Sequence, residues 1–383
     1  MENFKLAAKT FAGLEPVLAN EIKALGGQNV KEGRRIVFYE GGLEQVYKSN
    51  YLLRTALRVL KEITVFQFND VDQFYLRCRE VNWLKYMNVG QSFAINSTVS
   101  ESRDFRNSMF ASLKVKDAIA DHFRSKTGNR PSVDTESPEI FIDVHIRKNT
   151  CTLSLDSSGE SLHRRGYRAS QGKAPLNEVL AAGMILISGW NGSTDFIDPM
   201  CGPGTLPIEA AMIDQDIAPG RFRKSYAFEN WQGYNQDLFE KIKALNKPKP
   251  FNKKIFASDI SKENLLTAQT NARRARVFSS IVFQHTDMKN LEIDASDATI
   301  MINPPYGERL IQENLNGLYT MIGQQLKFHY AGNTAWILTS SKEYLKNVGL
   351  KPSVKMILFN GSLECTFTSY DLFKGKRNQM ENG

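Results

Sequence analysis

Cysteine and histidine are both scarce in this chain of 383 residues. The four cysteines, Cys78, Cys151, Cys201 and Cys365, lie far apart and form no CxxC pair. That spacing excludes a disulfide framework and a cysteine zinc site, and it fits a reducing cytoplasm. The five histidines show no HxxxH or Cys/His spacing, so no metal centre is expected. No run of about 18 or more apolar residues appears, so no membrane-spanning helix is expected. The N-terminal MENFKLAAKTF lacks a long apolar stretch ending at a small-residue cleavage site, so no secretory leader is expected.

What is present is a folded and basic chain. The hydrophobic fraction is 42%, and the length is too great for one ordinary core, which predicts two or three domains. The formal net charge is +8. A solvated basic surface accounts for that as well as a polyanionic partner does, unless the charge clusters.

Residues 1–55 alternate short strands and helices. FKLAAKTF reads as a strand; Glu15 and Pro16 open a helix that Gly26-Gly27 stops. RRIVFYEGG reads as a strand, and LEQVYKSNYLLRTALRVL as a helix, completing a small α+β unit. Residues 56–157 carry a helical DQFYLRCREVNWLKYM, a strand FAINSTVS, a long helix NSMFASLKVKDAIADHFRSKTG and a hairpin IFIDVHIRKNTCTLSLDS. On the long helix Phe110, Leu113, Ala118, Ile119 and Phe123 are expected to share the buried face. Arg103, Arg106, Lys114, Lys116, Arg124 and Lys148 gather in this block. Each alone is ordinary surface charge; as a set they suit phosphate contacts, which give affinity without reading sequence. Arg165 and Arg168 fall in a linker, 158–174, and are expected to guide a nucleic acid toward the next block.

Residues 175–373 alternate strands with helices, which implies a mainly parallel sheet. Pro175 sits where a helix could start. STDFIDPMCGPGT is a strand breaking into a glycine turn, and LPIEAAMI a helix. A basic, aromatic insertion follows, roughly 214–252. IFASDI is the next strand, with Ser261 as N-cap of the helix after it. IVFQHTDM, ATIMINPPY and TAWILTSS are further strands, and the closing β runs meet at Asn360-Gly361, a hairpin dipeptide that makes the last strand antiparallel. The tail 374–383 is expected to be flexible.

The chemistry sits where parallel strands end, since ligands of such sheets bind beyond their carboxyl ends. The first end carries Asp198, Met200, Cys201, Gly202 and Gly204; glycines there admit a ligand close to the backbone. Asp259 ends the second strand and suits ribose hydroxyls, and Asp287 at the third suits an adenine amino group. Each Asp alone reads equally as a cap or turn residue. A nicotinamide site would want a third glycine and an acid about 20 residues on, and neither is present. Cys201 lies inside the turn and reads as a small packing residue, not as a nucleophile. The fourth end, Asn303-Pro304-Pro305-Tyr306, is the most specific signal: a stiff corner that could fix a polar acceptor and a flat ring against a third object.

NSMFASLKVKDAI, LSLDSSGESLHRRGYR, APLNEVLAAGMI, DPMCGPGTLPIEAA, ASDIS and NPPYGERL together resemble S-adenosylmethionine-dependent RNA methyltransferases with an N-terminal THUMP domain, and among these the RlmL-type guanine-N2 enzymes of large-subunit rRNA. The resemblance spans essentially the whole chain. It implies a ferredoxin-like domain (1–55), a THUMP RNA-binding domain (56–157), and a Rossmann-like class I methyltransferase domain with a seven-stranded, mainly parallel sheet. It also implies S-adenosyl-L-methionine as cofactor, with Asp198, Met200, Cys201, Gly202, Gly204, Asp259 and Asp287 around it and the helix from Pro175 beside it. Asn303, Pro304, Pro305 and Tyr306 become the catalytic turn. The implied partner is structured RNA, rRNA first and tRNA second. The enterobacterial relative carries a second methyltransferase domain behind this region; the sequence ends at Gly383, so no second activity is expected of it. An adenine-N6 DNA methyltransferase and a non-catalytic RNA-binding assembly factor are the rivals. The THUMP-like half stands against the first, and the intact strand-end set against the second.

Overall fold

The computed structural model describes residues 3–169, 176–251, 253–293, 295, 297–305 and 312–373. The expectations placed on Pro175, on Tyr306 and on the 374–383 tail lie outside the described residues. The chain divides into two compact units: residues 1–9, 19–162 and 223–245 form the first, and 10–18, 163–222 and 246–383 the second.

The elements begin with β1 (Phe4–Lys9), α1 (Glu15–Ala24), β2 (Gln28–Gly33), β3 (Ile36–Gly41), α2 (Leu43–Leu52), β4 (Arg58–Gln67) and α3 (Val71–Glu80). β5 (Ser92–Ser100), α4 (Ser108–Thr127), β6 (Ser132–Val133), β7 (Ile140–Arg147) and β8 (Thr150–Asp156) follow. The eight strands make one sheet in the order β2-β3-β1-β4-β8-β7-β5-β6. β4 is its central splice. Its first residues pair with β1, Leu60 opposite Ala7, and the rest pairs with β8, from Leu60–Asp156 to Gln67–Thr150.

Two readings are corrected here. The helix expected through Leu60 ends at Leu52, and Arg58 onward is strand. The amides of Arg54 and Thr55 donate to the Glu21 carboxylate at 2.8 and 3.0 Å, so a distant acid captures donors that would otherwise continue the helix. On α4 the buried stripe is Ala111, Val115, Ala118, Ile119, His122 and Phe123, while Phe110 and Leu113 are exposed. The stripe runs at helical period from Ala111, and Phe110 and Leu113 fall to its side.

The second unit holds α5 (Glu178–Ile187), β9 (Phe196–Asp198) and α6 (Thr205–Asp214). α7 (Gln236–Leu245) lies in the inserted segment, whose residues 223–245 belong to the first unit. β10 (Ile255–Asp259), α8 (Lys262–Arg274), β11 (Ile281–His285), β12 (Thr299–Ile302), α9 (Gln312–Phe328), β13 (Thr334–Thr339), β14 (Val354–Asn360) and β15 (Leu363–Asp371) complete the second unit. The sheet order is β11-β10-β9-β12-β13-β15-β14. β11, β10, β9, β12 and β13 are parallel, and β15 runs antiparallel to both neighbours. Central strands are short and buried, as covering both faces of a parallel sheet requires. The expected class I methyltransferase arrangement is therefore present, with its antiparallel closing strand.

Candidate active site at the strand ends

The chain starts the parallel sheet at β9, builds outward through β10 and β11, then returns to the other side of β9 with β12. The crossover direction reverses between β9 and β12, which is where an open α/β sheet leaves a crevice beyond its strand ends. Registers align the ends: Ala257 stands beside Asp198, Asp259 beside His285, and Ile300 beside Ile197. Asp198, Asp259, Asp287 and Asn303 thus follow from four adjacent strands on one edge.

The glycine turn after β9 is tied to the end of β10. Asp259 Oδ2 accepts from the Gly202 amide at 2.8 Å, while its Oδ1 accepts from the Ser261 amide at 2.8 Å and from Asn264 Nδ2 at 3.2 Å. The Cys201 amide donates to the Ser258 carbonyl, and Ser258 Oγ donates to the Pro199 carbonyl. A carboxylate has about four acceptor positions. Three are taken by the protein, so Asp259 braces the turn with one acceptor position left.

The two glycines do different work. Both have positive φ, +53° at Gly202 and +85° at Gly204. A Cβ on Gly204 would lie 2.8 Å from the Ala268 Cβ of α8, so this glycine permits close helix packing. A Cβ on Gly202 would meet nothing within 4 Å. Gly202 therefore keeps a bare stretch of backbone open to a ligand, and Gly204 does not.

Asp198 is 1% exposed and accepts from the Met200 amide at 3.1 Å. Burial pushes its carboxyl well above the ordinary carboxylate range, against the pull of that hydrogen bond, and the Asp259 charge adds to the rise. Cys201 is also buried. Burial and the two acids, Asp198 then Asp259, push its thiol well up, the opposite of what an activated nucleophile needs. Asp287 follows β11 and caps a short 3₁₀ turn, accepting from the Lys289 amide at 3.0 Å, with Lys289 Nζ 3.5 Å away.

Asn303 leaves β12 into a restrained backbone, because Pro304 and Pro305 hold each preceding residue out of the helical region. Its Oδ1 is buried and has no hydrogen-bond partner among the described residues. An acceptor left so costs on the order of 1–3 kcal/mol and calls for an explanation.

The linker arginines are corrected by the structure. Arg165 is 2% exposed, and its guanidinium faces Glu209 of α6 at 3.6 Å, with both side chains sealed from solvent. Tyr167 donates to the same Glu209 at 3.1 Å. Arg168 pairs with Glu178, donates to the Leu176 carbonyl at 2.8 Å and to Thr205 Oγ1 at 3.0 Å. Arg165 is therefore sealed inside the second unit and not presented to RNA, while Arg168 is half-buried and tied to the same unit. Asn271, buried on α8, went unnoticed in the sequence. It accepts from the Ala169 amide at 2.9 Å and donates to the Pro203 carbonyl inside the glycine turn at 3.0 Å. An amide on the apolar stripe of Leu265, Ala268 and Ala272 is the signal that marks it.

In the first unit Lys114, Lys116 and Arg124 do converge. With Arg130 they line a cavity of about 710 Å³ that also contains Asp117 and Asp121. Lys116 pairs with Asp117 and Arg124 with Asp121, both at 2.9 Å. Arg103, Arg106 and Lys148 are exposed, and Lys148 approaches Glu101 at 3.9 Å.

Comparison with known proteins accords with this geometry. The ribosomal RNA large subunit methyltransferase K/L of Syntrophotalea carbinolica is 36% identical, covering 96% of this chain and 53% of that protein. The chain spans about half the length of the K/L relatives it matches. A Synechocystis sp. protein, slr0064, assigned as an RNA methyltransferase, is 34% identical over 94% of this chain and 95% of its own length. The solved structure of SMU.472, assigned as a methyltransferase and complexed with SAH, superposes with a TM-score of 0.88 at 27% identity, covering 98% of this chain and 100% of that one. The open backbone at Gly202 beside two strand-end acids fits a ligand of the S-adenosyl class held by that structure. Three family models match in series: an RlmL ferredoxin-like domain at 5–60, a THUMP domain at 68–156, and an "RMKL-like, methyltransferase domain" at 165–369. With a methyltransferase sheet whose switch point carries the glycine turn and the Asn-Pro-Pro corner, behind a ferredoxin-like and a THUMP domain, the chain belongs to the RlmL/K-like family of methyltransferases.

Proposed function

We propose that this protein methylates the exocyclic N2 amine of a guanine in structured RNA, with large-subunit rRNA as the substrate. The observation that carries the reading is the unpartnered buried oxygen of Asn303 at the end of β12. An exocyclic amine shares its lone pair with the ring and is a poor nucleophile. Asn303 Oδ1 and the Pro304 carbonyl accept its two hydrogens, holding the lone pair toward the crevice. Tyr306 stacks on the extruded base. Positioning and fixed dipoles supply most of the rate, and no strong base is required. S-adenosyl-L-methionine supplies an electrophilic methyl group on a sulfonium centre. Asp259 takes the ribose hydroxyls with the acceptor capacity left to it, Asp287 the adenine amine, and Asp198 lies beneath the turn formed by Met200, Cys201 and Gly202. Pro175 completes the proposed cofactor contacts. Arg103, Arg106, Lys114, Lys116, Arg124 and Lys148 hold phosphates of the RNA.

The names of the K/L relatives support rRNA, and the guanine-N2 choice rests on the likeness of NPPYGERL to that group. Substrate and enzyme would then meet in the cytoplasm. The test is transfer of labelled methyl to rRNA, tRNA and duplex DNA side by side, followed by nucleoside analysis. N2-methylguanosine from rRNA is expected. N6-methyladenosine would overturn the base assignment, and a tRNA-only product the choice of RNA.

A further inference from the structure

A second cavity, of about 930 Å³, lies wholly within the first unit. Its walls come from the ferredoxin-like and THUMP segments and from the inserted residues 228–238. Tyr47 and Phe228, both 0% exposed with ring centroids 4.5 Å apart, pack into its base. Around them Phe4, Tyr86 and Tyr234 are only half-buried and Trp231 is 8% exposed, so several aromatic rings line open space instead of closing into a core. Lys48, Lys61 and Lys85 line the same cavity, with Glu44 as the acid among its described lining residues, paired with Lys48 at 2.6 Å. Lys61 Nζ stands 3.5 Å from the Phe4 ring centroid and 5.9 Å from that of Trp231.

The inserted segment is held in place before any ligand arrives. Gln232 Nε2 donates to the Leu84 carbonyl at 3.2 Å and to Asn88 Oδ1 at 3.0 Å; Gln91 Nε2 donates to the Asn230 carbonyl at 2.9 Å; the Asn235 amide donates to Tyr47 Oη at 2.9 Å. Gly233, with φ +82°, has nothing within 4 Å of its Cβ position, so the backbone there stays open. Cavities of this size with aromatic walls and a few polar groups are typical of organic ligand sites. Flat rings beside ammonium groups select a flat, anionic ligand, which is the chemistry of a nucleotide.

The geometry points to this cavity as a docking site for an unstacked nucleotide of the RNA substrate, its base against Tyr86, Tyr234 and Trp231 and its phosphate on Lys61 and Lys85. The site rests on the RNA reading above and adds to it a second anchor, built partly by the segment inserted in the methyltransferase sequence.

The experiment uses the full chain and a single-stranded adenosine octamer carrying 2-aminopurine, titrated by fluorescence, with SAH calorimetry as a check on the fold. Tyr86→Ala and Tyr234→Ala should each weaken octamer binding about fivefold or more, Tyr234→Phe should restore it, and SAH affinity should not move. Lys85→Glu should weaken binding and flatten its salt dependence. Octamer affinity unchanged in both alanine variants overturns the site, as does AMP binding as tightly as the octamer, which would make the occupant a free nucleotide. Failure of the RNA reading shows differently: the unaltered protein then transfers no methyl to rRNA, whereas failure of the cavity alone leaves that transfer intact.

Discussion

The Asp259 carboxylate accepts a hydrogen bond from the amide of Gly202, 57 residues earlier, at 2.8 Å. One acid thus links the ends of two neighbouring strands and shapes the turn beside which a ligand would lie. Ser261 and Asn264 occupy its other oxygen. Asp259→Ala removes both the brace and an acceptor for the ribose, and S-adenosylmethionine affinity should fall about tenfold or more, since a charge-assisted hydrogen bond is worth roughly 1.5–3 kcal/mol. Asp259→Asn should fall nearly as far, because an amide presents an acceptor on one side only. Calorimetry measures both; unchanged affinity in the alanine variant removes Asp259 from the site.

Asp198 makes the pH dependence predictable in sign. Its carboxyl is raised in the ligand-free fold by burial and then by Asp259. A raised acid binds its proton more tightly folded than unfolded, so its contribution to stability is greatest at low pH and is lost as pH rises through the folded-state value. A cationic ligand beside it favours the carboxylate. Cofactor affinity should therefore be highest above that raised value and decline as pH falls through it. Asp198→Asn should flatten both profiles, read by thermal melts and S-adenosylmethionine titrations across pH. A wild-type affinity that rises on acidification would contradict the placement.

Asn303→Ala should lower turnover by roughly 10²-fold or more with cofactor affinity nearly unchanged, because the acceptor matters most as the amine pyramidalises. Tyr306→Ala should weaken base capture by about 1–3 kcal/mol, and Tyr306→Phe should be mild. Full activity in Asn303→Ala would sink the mechanism.

Arg165 and Lys114 should separate cleanly. Arg165→Ala removes the cation that faces the buried Glu209 and should cost about 3–5 kcal/mol of stability. Lys114→Ala should leave the melting temperature near the parent value and reduce the log–log salt slope of RNA binding by about 0.7–0.9. Thermal denaturation and a salt titration distinguish the two roles; a stable Arg165→Ala with weakened RNA binding would restore Arg165 to the surface.

Asn271→Ala removes the link between Ala169 and the Pro203 carbonyl. The turn then loses one of its supports, and SAH affinity should drop several-fold while octamer binding holds. Equal loss of both would indicate general unfolding instead.

What the sequence determined by itself was local in origin. A strand run into DPMCGPGT or NPPY must break where it does, because proline and positive-φ glycine act on their own residues. Ser261 caps α8 through Asn264, three residues on, and Asn360-Gly361 ends β14 in a turn with Gly361 at φ +69°. With the strand-helix alternation, these placed Asp198, Asp259, Asp287 and Asn303 at four strand ends before any coordinates. Tertiary structure decided whatever depends on partners far along the chain. Glu21 captures the amides of Arg54 and Thr55 and so frees Arg58–Gln67 to join two strands into one sheet. The inserted residues 223–245 belong to the first unit through contacts with segments more than a hundred positions away. An arginine in a basic linker reads as solvated until Glu209 is seen to bury it, since charge is visible in a sequence and desolvation is not.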